Sequence, residues 1–359
     1  MLATMSSIVP HGRWDWDQTL FPEDEQRARL QDVQAAMRER GFDSLLVFGN
    51  NRVHGNLSFL TQYFPLEAFG IVIVPVEGEI TIVSGMAIPP RRAWAGSQSR
   101  VPADGSLRSL VSDARRIGIV GFDDANVGLR ERLLRYLDAS PADDVLREVR
   151  AQLRPRERTA MKMTTEIAAS AAQTLVDSFD SGAGNRQAVI DAELTARRAG
   201  AAEFRAVVNR TEGGAPMPIE SVATDRTETI TAYLAVEYLG YWVPVCISHG
   251  RLPSNLAGSA QGALEAMTGM IRPGMAAREV ADAGLRQLSE RQRETALSFG
   301  LGNGIGLDPN LPPLIASSSE DQICEHQALA LRVHLNDSGR RCLAGAVVLV
   351  TESGASRLL

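Results

Sequence analysis

The chain has 359 residues and a net charge of -6, with 37 lysines and arginines against 43 aspartates and glutamates. A hydrophobic fraction of 44% and a charged fraction of 22% are typical of a folded globular protein and exclude a disordered or fibrous chain. The acidic balance argues against general nucleic-acid binding, which depends on many lysines and arginines facing phosphates. The length predicts about two domains.

Cysteine content and hydropathy predict where the protein works. The three cysteines, Cys246, Cys324 and Cys342, are too few and too far apart for a disulfide framework or a zinc knuckle, so we expect a reducing, cytoplasmic compartment. No apolar run reaches the ~18 residues of a membrane span. Residues 1–17 lack the basic region and apolar core of a secretory signal, and residues 1–20 are assigned to an N-terminal arm.

Strands and helices alternate between residues 21 and 150, which predicts an α/β domain. Pro22 suits the first turn of a helix over residues 22–40, acidic residues follow it, and Gly41 ends the helix. Residues 44–48 form a short apolar run typical of a buried strand. Further along, the pattern predicts a hairpin at 69–76 and 80–83, a strand at 116–121 and a helix at 129–137.

Residues 151–359 combine helices with antiparallel strands in blocks, which is typical of an α+β domain. Helices are predicted at 156–180, 186–200, 258–272 and 277–291. Strands are predicted at 204–209, 229–238, 241–248, 328–335 and 346–351. The two halves of this domain share an order of long helix, shorter helix and strands, a weak sign of an internal repeat.

Several segments, in order along the chain, resemble the creatinase, Xaa-Pro aminopeptidase and prolidase group. Residues 57–63 (LSFLTQY) resemble its YLTG segment, and residues 271–275 (IRPGM) its RPGM turn. Residues 302–308 (GNGIGLD) resemble GHGIGLD, and residues 348–354 (VLVTESG) resemble VLVTEDG. The resemblance implies an α/β N-terminal domain followed by the α+β pita-bread domain of this group, in a homodimer.

The metal ligands that the resemblance implies are missing. Peptidases of this group hold two metal ions with two Asp, one His and two Glu, since paired hard cations need converging carboxylates. The matching positions here are Tyr233, Pro244, Asn303, a position near Val333, and Gly345. Because these side chains cannot replace five ligands, we expect no metal, no cofactor and no metallopeptidase activity.

Creatinase, a member of the same group, works on a small guanidino compound without metal, with a histidine as base. The position of that histidine corresponds here to Glu220. A carboxylate in a partly dry cleft has a raised pKa and can act as a base; alternatively, Glu220 is a solvated loop carboxylate. His334 is a second candidate catalytic residue, provided that the strand register turns it toward the cleft.

Four further residues are candidates for substrate binding. Tyr233 occupies a ligand position and is expected to face the cleft, and Glu237 shares its parity on the strand unless a bulge intervenes. Asn303, among glycines, either binds substrate or belongs to a structural turn. Arg332 either pairs with a substrate carboxylate or is an exposed strand residue.

Three functions are compatible with these patterns. The first is a metal-independent, creatinase-like enzyme that cleaves a C–N or related bond in a small guanidino or amino-acid-like metabolite. The second is a non-catalytic pita-bread protein that binds peptide or protein. The third is an inactive subunit paired with an active paralogue. A closed pocket with a carboxylate or histidine of perturbed pKa favours an enzyme, whereas an open apolar or charged surface favours a binding module.

Overall fold

A computed structural model describes residues 17–65, 69–84, 94–219, 226–337 and 339–359. The chain divides into two compact units, Met1–Ala151 and Gln152–Leu359. None of the helices in the described ranges combines the length and the apolar character that crossing a membrane requires. The predicted arm lies outside these ranges except for residues 17–20.

The first unit is a mixed sheet with helices, as its alternating pattern predicted. Its helices are α1 (Glu23–Arg40), α2 (Gly55–Thr61), α3 (Val127–Leu133) and α4 (Asp143–Val149). Its strands are β1 (Ser44–Asn50), β2 (Phe69–Pro75), β3 (Thr81–Ser84), β4 (Ser97–Arg100), β5 (Ile117–Val120) and β6 (Ala139–Pro141). They form one sheet in the order β4-β3-β2-β1-β5-β6.

Helix α1 follows the local signals in its sequence. Acidic residues occupy its first turn and basic residues its last turn, where they complement the helix dipole. Gly41 ends the helix in the left-handed conformation, at a φ of 72°. The apolar run that follows becomes β1, which is buried at the centre of the sheet between β2 and β5.

The second unit contains two antiparallel sheets and five helices within the described residues. The helices are α5 (Pro155–Asp180), α6 (Asn185–Arg198), α7 (Ser254–Met270), α8 (Ala277–Arg286) and α9 (Glu290–Phe299). The first sheet, in the order β10-β9-β7-β8, contains β7 (Glu203–Asn209), β8 (Pro216–Pro218), β9 (Thr229–Tyr238) and β10 (Tyr241–Gly250). The second, in the order β12-β11-β13-β14-β15, contains β11 (Gly302–Ile305), β12 (Leu311–Leu314), β13 (Ala328–Asp337), β14 (Arg340–Thr351) and β15 (Gly354–Arg357).

The helix predicted over 277–291 is two helices in the structure, α8 and α9. Ser289 begins the second one: its hydroxyl accepts a hydrogen bond from the backbone N–H of Gln292, whose side chain returns to Ser289. This reciprocal capping box satisfies donors that a continuous helix would satisfy internally. The apolar periodicity continues from α8 into α9, so the periodicity alone predicts one continuous helix.

Strand β13 separates a helix-facing side from a sheet-facing side. Leu329, Leu331, Val333 and Leu335 belong to one core cluster with residues of α7, α8 and α9. Since side chains alternate along a strand, Arg332 and His334 face the other way. That opposite side adjoins the first sheet along β10 and β14, where the backbone N–H of Leu343 donates to the Ser248 hydroxyl at 2.8 Å.

Candidate functional site

A small cavity of about 190 Å³ lies where the two sheets of the second unit adjoin. Strands β9, β10, β13, β14 and β15 all contribute to it. Its lining consists of Tyr233, Pro244, Val245, Cys246, Ala330, Leu331, Arg332, Gly345, Ala346, Arg357 and Leu359. Three of these, Tyr233, Pro244 and Gly345, are positions that the resemblance matched to metal ligands. A fourth matched position fell near Val333; the structure places Arg332 at the cavity and Val333 in the helix-facing core.

Arg332 is the main charged group of the cavity wall. It is half-buried, and its Nη1 donates to the Asn303 Oδ1 at 2.8 Å. Within the described part of the chain, no carboxylate lies within ion-pair distance of its guanidinium. Its direct cross-strand neighbour is Gly345, which has no side chain to cover it. A guanidinium has five N–H donors, so Arg332 retains donors for a ligand.

Asn303 supports Arg332 from behind. Its amide nitrogen donates to the backbone carbonyls of Gly304 at 2.7 Å and Pro309 at 3.0 Å, while its oxygen accepts from Arg332. All three contacts fix the orientation of the amide, and Asn303 is buried and outside the cavity lining. The sequence left open whether it binds substrate or stabilises a turn; in the structure it positions Arg332 and ties down the segment after β11.

Tyr233 and Cys246 face each other across the β9–β10 pair and both line the cavity. Burial raises the pKa of the Tyr233 hydroxyl and of the Cys246 thiol, each to about 12, although the Arg332 charge partly opposes both shifts. Both groups are therefore protonated and neutral at pH 7. The Tyr233 hydroxyl has no hydrogen-bond partner among the described residues, so it is a donor available to a ligand.

Gly345 is tightly enclosed from the opposite sheet. A Cβ added there would lie 2.7 Å from the Cys246 Sγ, 2.8 Å from the Cys246 Cβ and 3.1 Å from the Leu331 carbonyl oxygen. These distances are shorter than normal contacts, so any larger residue requires Cys246 to move. Cys246 thus occupies the space where a side chain at position 345 would begin.

His334 lies two residues beyond Arg332 on the same face of β13, but outside the cavity lining. Its ring contacts Phe299 at a centroid distance of 5.0 Å, and Phe299 also contacts Tyr233 at 6.3 Å. Burial and the Arg341 guanidinium lower the pKa of His334 to about 4, so the ring is neutral at pH 7. A group with so low a pKa is a weak base for proton transfer near neutrality.

Glu237 shares the face of Tyr233, because β9 and β10 pair without a register shift. It lies at the far end of the hairpin, however, and its carboxylate accepts a hydrogen bond from the Gly240 backbone. Leu239 and Gly240 both have positive φ, 52° and 90°, as a tight two-residue hairpin turn requires. Glu237 therefore stabilises the turn and does not line the cavity. Glu220 lies outside the described residues.

The donor groups at the cavity do not fit a pair of divalent cations. Such cations take oxygen ligands from converging carboxylates, and the side chains of the wall here present two guanidiniums, a phenol, a thiol and apolar groups. Among the described residues, no three His, Cys, Asp or Glu side chains are grouped so that they could hold a metal ion. The positive charges of Arg332 and Arg357 on the wall would repel a cation.

Two lining residues with polar side chains, Cys246 and Arg357, were not predicted from the sequence. Cys246 lies in the strand predicted over 241–248, and the hairpin register places it opposite Tyr233 at the cavity. That register could have been counted from the turn at Gly240. Arg357 carried no usable signal, because a short terminal strand has no recognisable pattern before its sheet is known. Its Nε donates to the Leu359 carbonyl oxygen at 2.8 Å.

No family model and no curated protein sequence matches this chain. Solved structures do. The prolidase from Pyrococcus horikoshii OT3 is 17% identical with a TM-score of 0.77, over 92% of this chain and 97% of that one. The Xaa-Pro dipeptidase from Bacillus anthracis is 15% identical with a TM-score of 0.76, over 93% and 97%. Aminopeptidase P from E. coli with the inhibitor Pro-Leu is 14% identical with a TM-score of 0.74, over 92% and 94%. The chain therefore has the pita-bread fold of the creatinase, Xaa-Pro aminopeptidase and prolidase group.

Proposed function

We propose that this protein is a metal-independent pita-bread protein that takes a small molecule into the cavity at Arg332, and that it is not a metallopeptidase. The observation that carries the proposal is the side chain of Arg332 itself. It lies on the cavity wall, beside Gly345 and close to Tyr233, at positions where the resemblance leads one to expect carboxylates. A fixed positive charge there opposes the binding of divalent cations.

The dimensions of the cavity favour a small molecule over a peptide or a protein. Its volume of about 190 Å³ is below the roughly 300–1,000 Å³ of sites that hold drug-sized ligands. It corresponds to roughly six water molecules at about 30 Å³ each. A ligand of amino-acid size fits this space, which supports a small-molecule site over the peptide-binding alternative.

The catalytic form of this proposal is a creatinase-like cleavage of a C–N bond. Tyr233 and Cys246 are protonated at pH 7 because burial raises the pKa of each to about 12, and the pKa of His334 is lowered to about 4. None of these three is matched to proton transfer near neutrality. Glu220 is then the candidate general base, and catalysis requires that its carboxylate reaches the ligand.

Elemental analysis of the purified protein, together with thermal unfolding with and without a chelator, tests metal independence. We expect no stoichiometric metal, no chelator effect and no stabilisation by added Mn²⁺. About two metal ions per chain, removed with loss of stability, would overturn the proposal, since that is the composition of a dinuclear hydrolytic site. A prolidase purified in parallel provides the positive control.

The role of Glu220 is tested by Glu220→Gln, which keeps the size of the side chain and removes its basicity. We expect the variant to keep its fold and its ligand binding and to lose turnover. Turnover equal to that of the original protein would exclude Glu220 as the base and leave a binding function for the cavity.

A further inference from the structure

We infer that the ligand of this cavity is a small carboxylate with an apolar body, its carboxylate bound by Arg332 and the Tyr233 hydroxyl. The inference rests on the proposed small-molecule site and specifies its ligand class. It argues against a guanidino cation and retains the carboxylate of the amino-acid-like class that the sequence suggested.

The positive charge of Arg332 on the cavity wall favours an anionic ligand. Arg332 is half-buried, and its one hydrogen bond to the described residues is to a neutral amide oxygen, that of Asn303. Removing a cation from water is unfavourable unless an opposite charge or good hydrogen bonds replace the water. With no carboxylate of the described chain within ion-pair distance of Arg332, an anionic ligand supplies the missing charge. A guanidino cation would instead face a like charge.

The second step is the set of donors. A guanidinium presents a planar fork of N–H groups that matches the two oxygens of a carboxylate. Asn303 holds that fork in place through its own bonds to two backbone carbonyls. The Tyr233 hydroxyl is protonated and has no described partner, so it adds a neutral donor. Arg357 is exposed and donates to the Leu359 backbone oxygen, so the half-buried Arg332 is the cation assigned to the head group.

The third step is the rest of the wall, which is apolar. Pro244 and Ala330 line it, and they lie on the same strand faces as Cys246 and Arg332. Side chains of this kind favour a compact hydrocarbon body and offer no hydrogen bonds to a second polar end. Together with the volume of about 190 Å³, they indicate a branched or cyclic monocarboxylate of amino-acid size.

Titration calorimetry with three small probes tests the inference directly. Isobutyrate has the expected charge and shape, isobutyramide has the same shape without the charge, and guanidinium has the opposite charge. We expect the protein to bind isobutyrate at millimolar or lower concentration and to bind the other two at least about tenfold more weakly, since a hydrogen bond to a charged group is worth more than a neutral one. Equal binding of amide and carboxylate, preferential binding of guanidinium, or no binding of isobutyrate would each overturn the inference.

Variants connect the binding to the cavity. Arg332→Gln is expected to weaken isobutyrate binding by about ten- to hundredfold, and Tyr233→Phe by a smaller factor of about three to ten. The matched control is Arg286→Gln, at an exposed position of α8, with unchanged affinity. Circular dichroism and thermal unfolding show whether each variant is folded. Unchanged affinity in folded Arg332→Gln would overturn the assignment of the head group.

Metal independence and the preference for a carboxylate ligand are tested by different measurements. Bound metal without preference for carboxylates would overturn metal independence, and it is detected by elemental analysis. Metal-free protein that binds isobutyramide or guanidinium better than isobutyrate would retain the small-molecule site and overturn only its charge selectivity.

Discussion

The Asn303 side-chain oxygen accepts a hydrogen bond from the Arg332 guanidinium at 2.8 Å, while its nitrogen donates to the Gly304 and Pro309 carbonyls. Asn303, at the position that the resemblance matched to a metal-binding histidine, therefore orients the guanidinium of Arg332. This relationship joins β11 to β13 and fixes the orientation of Arg332 before any ligand arrives. Such preorganisation reduces the free energy lost on ordering a side chain when a ligand binds.

Replacing Asn303 by alanine is expected to affect both stability and binding. Two backbone carbonyls and Arg332 lose a partner, and we expect the free energy of unfolding to fall by about 1–3 kcal/mol. Urea titration measures this loss. Isobutyrate binding is expected to weaken as well, because Arg332 is no longer held in place. Exposed Asn310 is the control, and a folded Asn303→Ala variant as stable as the parent would contradict the role assigned to the amide.

Gly345→Ala is expected to destabilise the second unit by about 1–3 kcal/mol, the usual range for overpacking. The added Cβ would lie 2.7 Å from the Cys246 Sγ. Combining it with Cys246→Gly is expected to recover part of the loss, with a coupling free energy of about 0.5–3 kcal/mol in a double-mutant cycle. Gly262→Ala on α7 has open space around its new Cβ and is the control. Strict additivity of the two changes would show that they do not meet.

His334 predicts a pH dependence of stability. Its pKa is lowered to about 4 in the folded protein, below the ordinary value of about 6.5 in the unfolded chain. Stability is therefore complete above about pH 6.5 and falls as the pH drops toward 4, because only the unfolded chain gains the proton easily. The contribution reaches roughly 1–3 kcal/mol.

Denaturant titrations between pH 7 and 4 measure that contribution. In His334→Gln this part of the acid-dependent loss is expected to disappear, and His326→Gln, at a partly exposed position, is the control. Parallel profiles for the parent and His334→Gln would contradict the assignment.

Tyr241→Phe tests the hydrogen bond between the β9–β10 hairpin and α5. The Tyr241 hydroxyl donates to the Glu157 carboxylate at 2.9 Å, and both residues are buried. Losing a hydrogen bond to a charged group is expected to cost about 1.5–3 kcal/mol, measured by urea unfolding. Tyr238→Phe, at a half-buried position of the neighbouring strand, is expected to change stability by about 0.5 kcal/mol or less. Equal effects of the two changes would contradict this contact.

Local signals in the sequence predicted most elements of the fold because each signal acts within a few residues. The first-turn acids mark the start of α1 and Gly41 marks its end. Pro155 is the first residue of α5. Alternation predicted that Tyr233 and Glu237 share a face, and the unbroken register of β9 and β10 confirms it. The capping box at Ser289 was missed because apolar periodicity continues through the break it introduces.

The candidate site depended more on tertiary structure. Residues far apart in the chain, Tyr233, Arg332 and Gly345, meet only when the sheets adjoin along β10 and β14. The sequence by itself determined which residue types stand at these positions, and thus that a set of carboxylates is missing from them. The tertiary structure decided that Arg332 faces the cavity and Val333 the helices, since a shift of one residue along a strand reverses the face. It also decided that Glu237 stabilises a turn and Asn303 holds Arg332, because packing and hydrogen bonds between distant segments, which no local pattern encodes, assign those tasks.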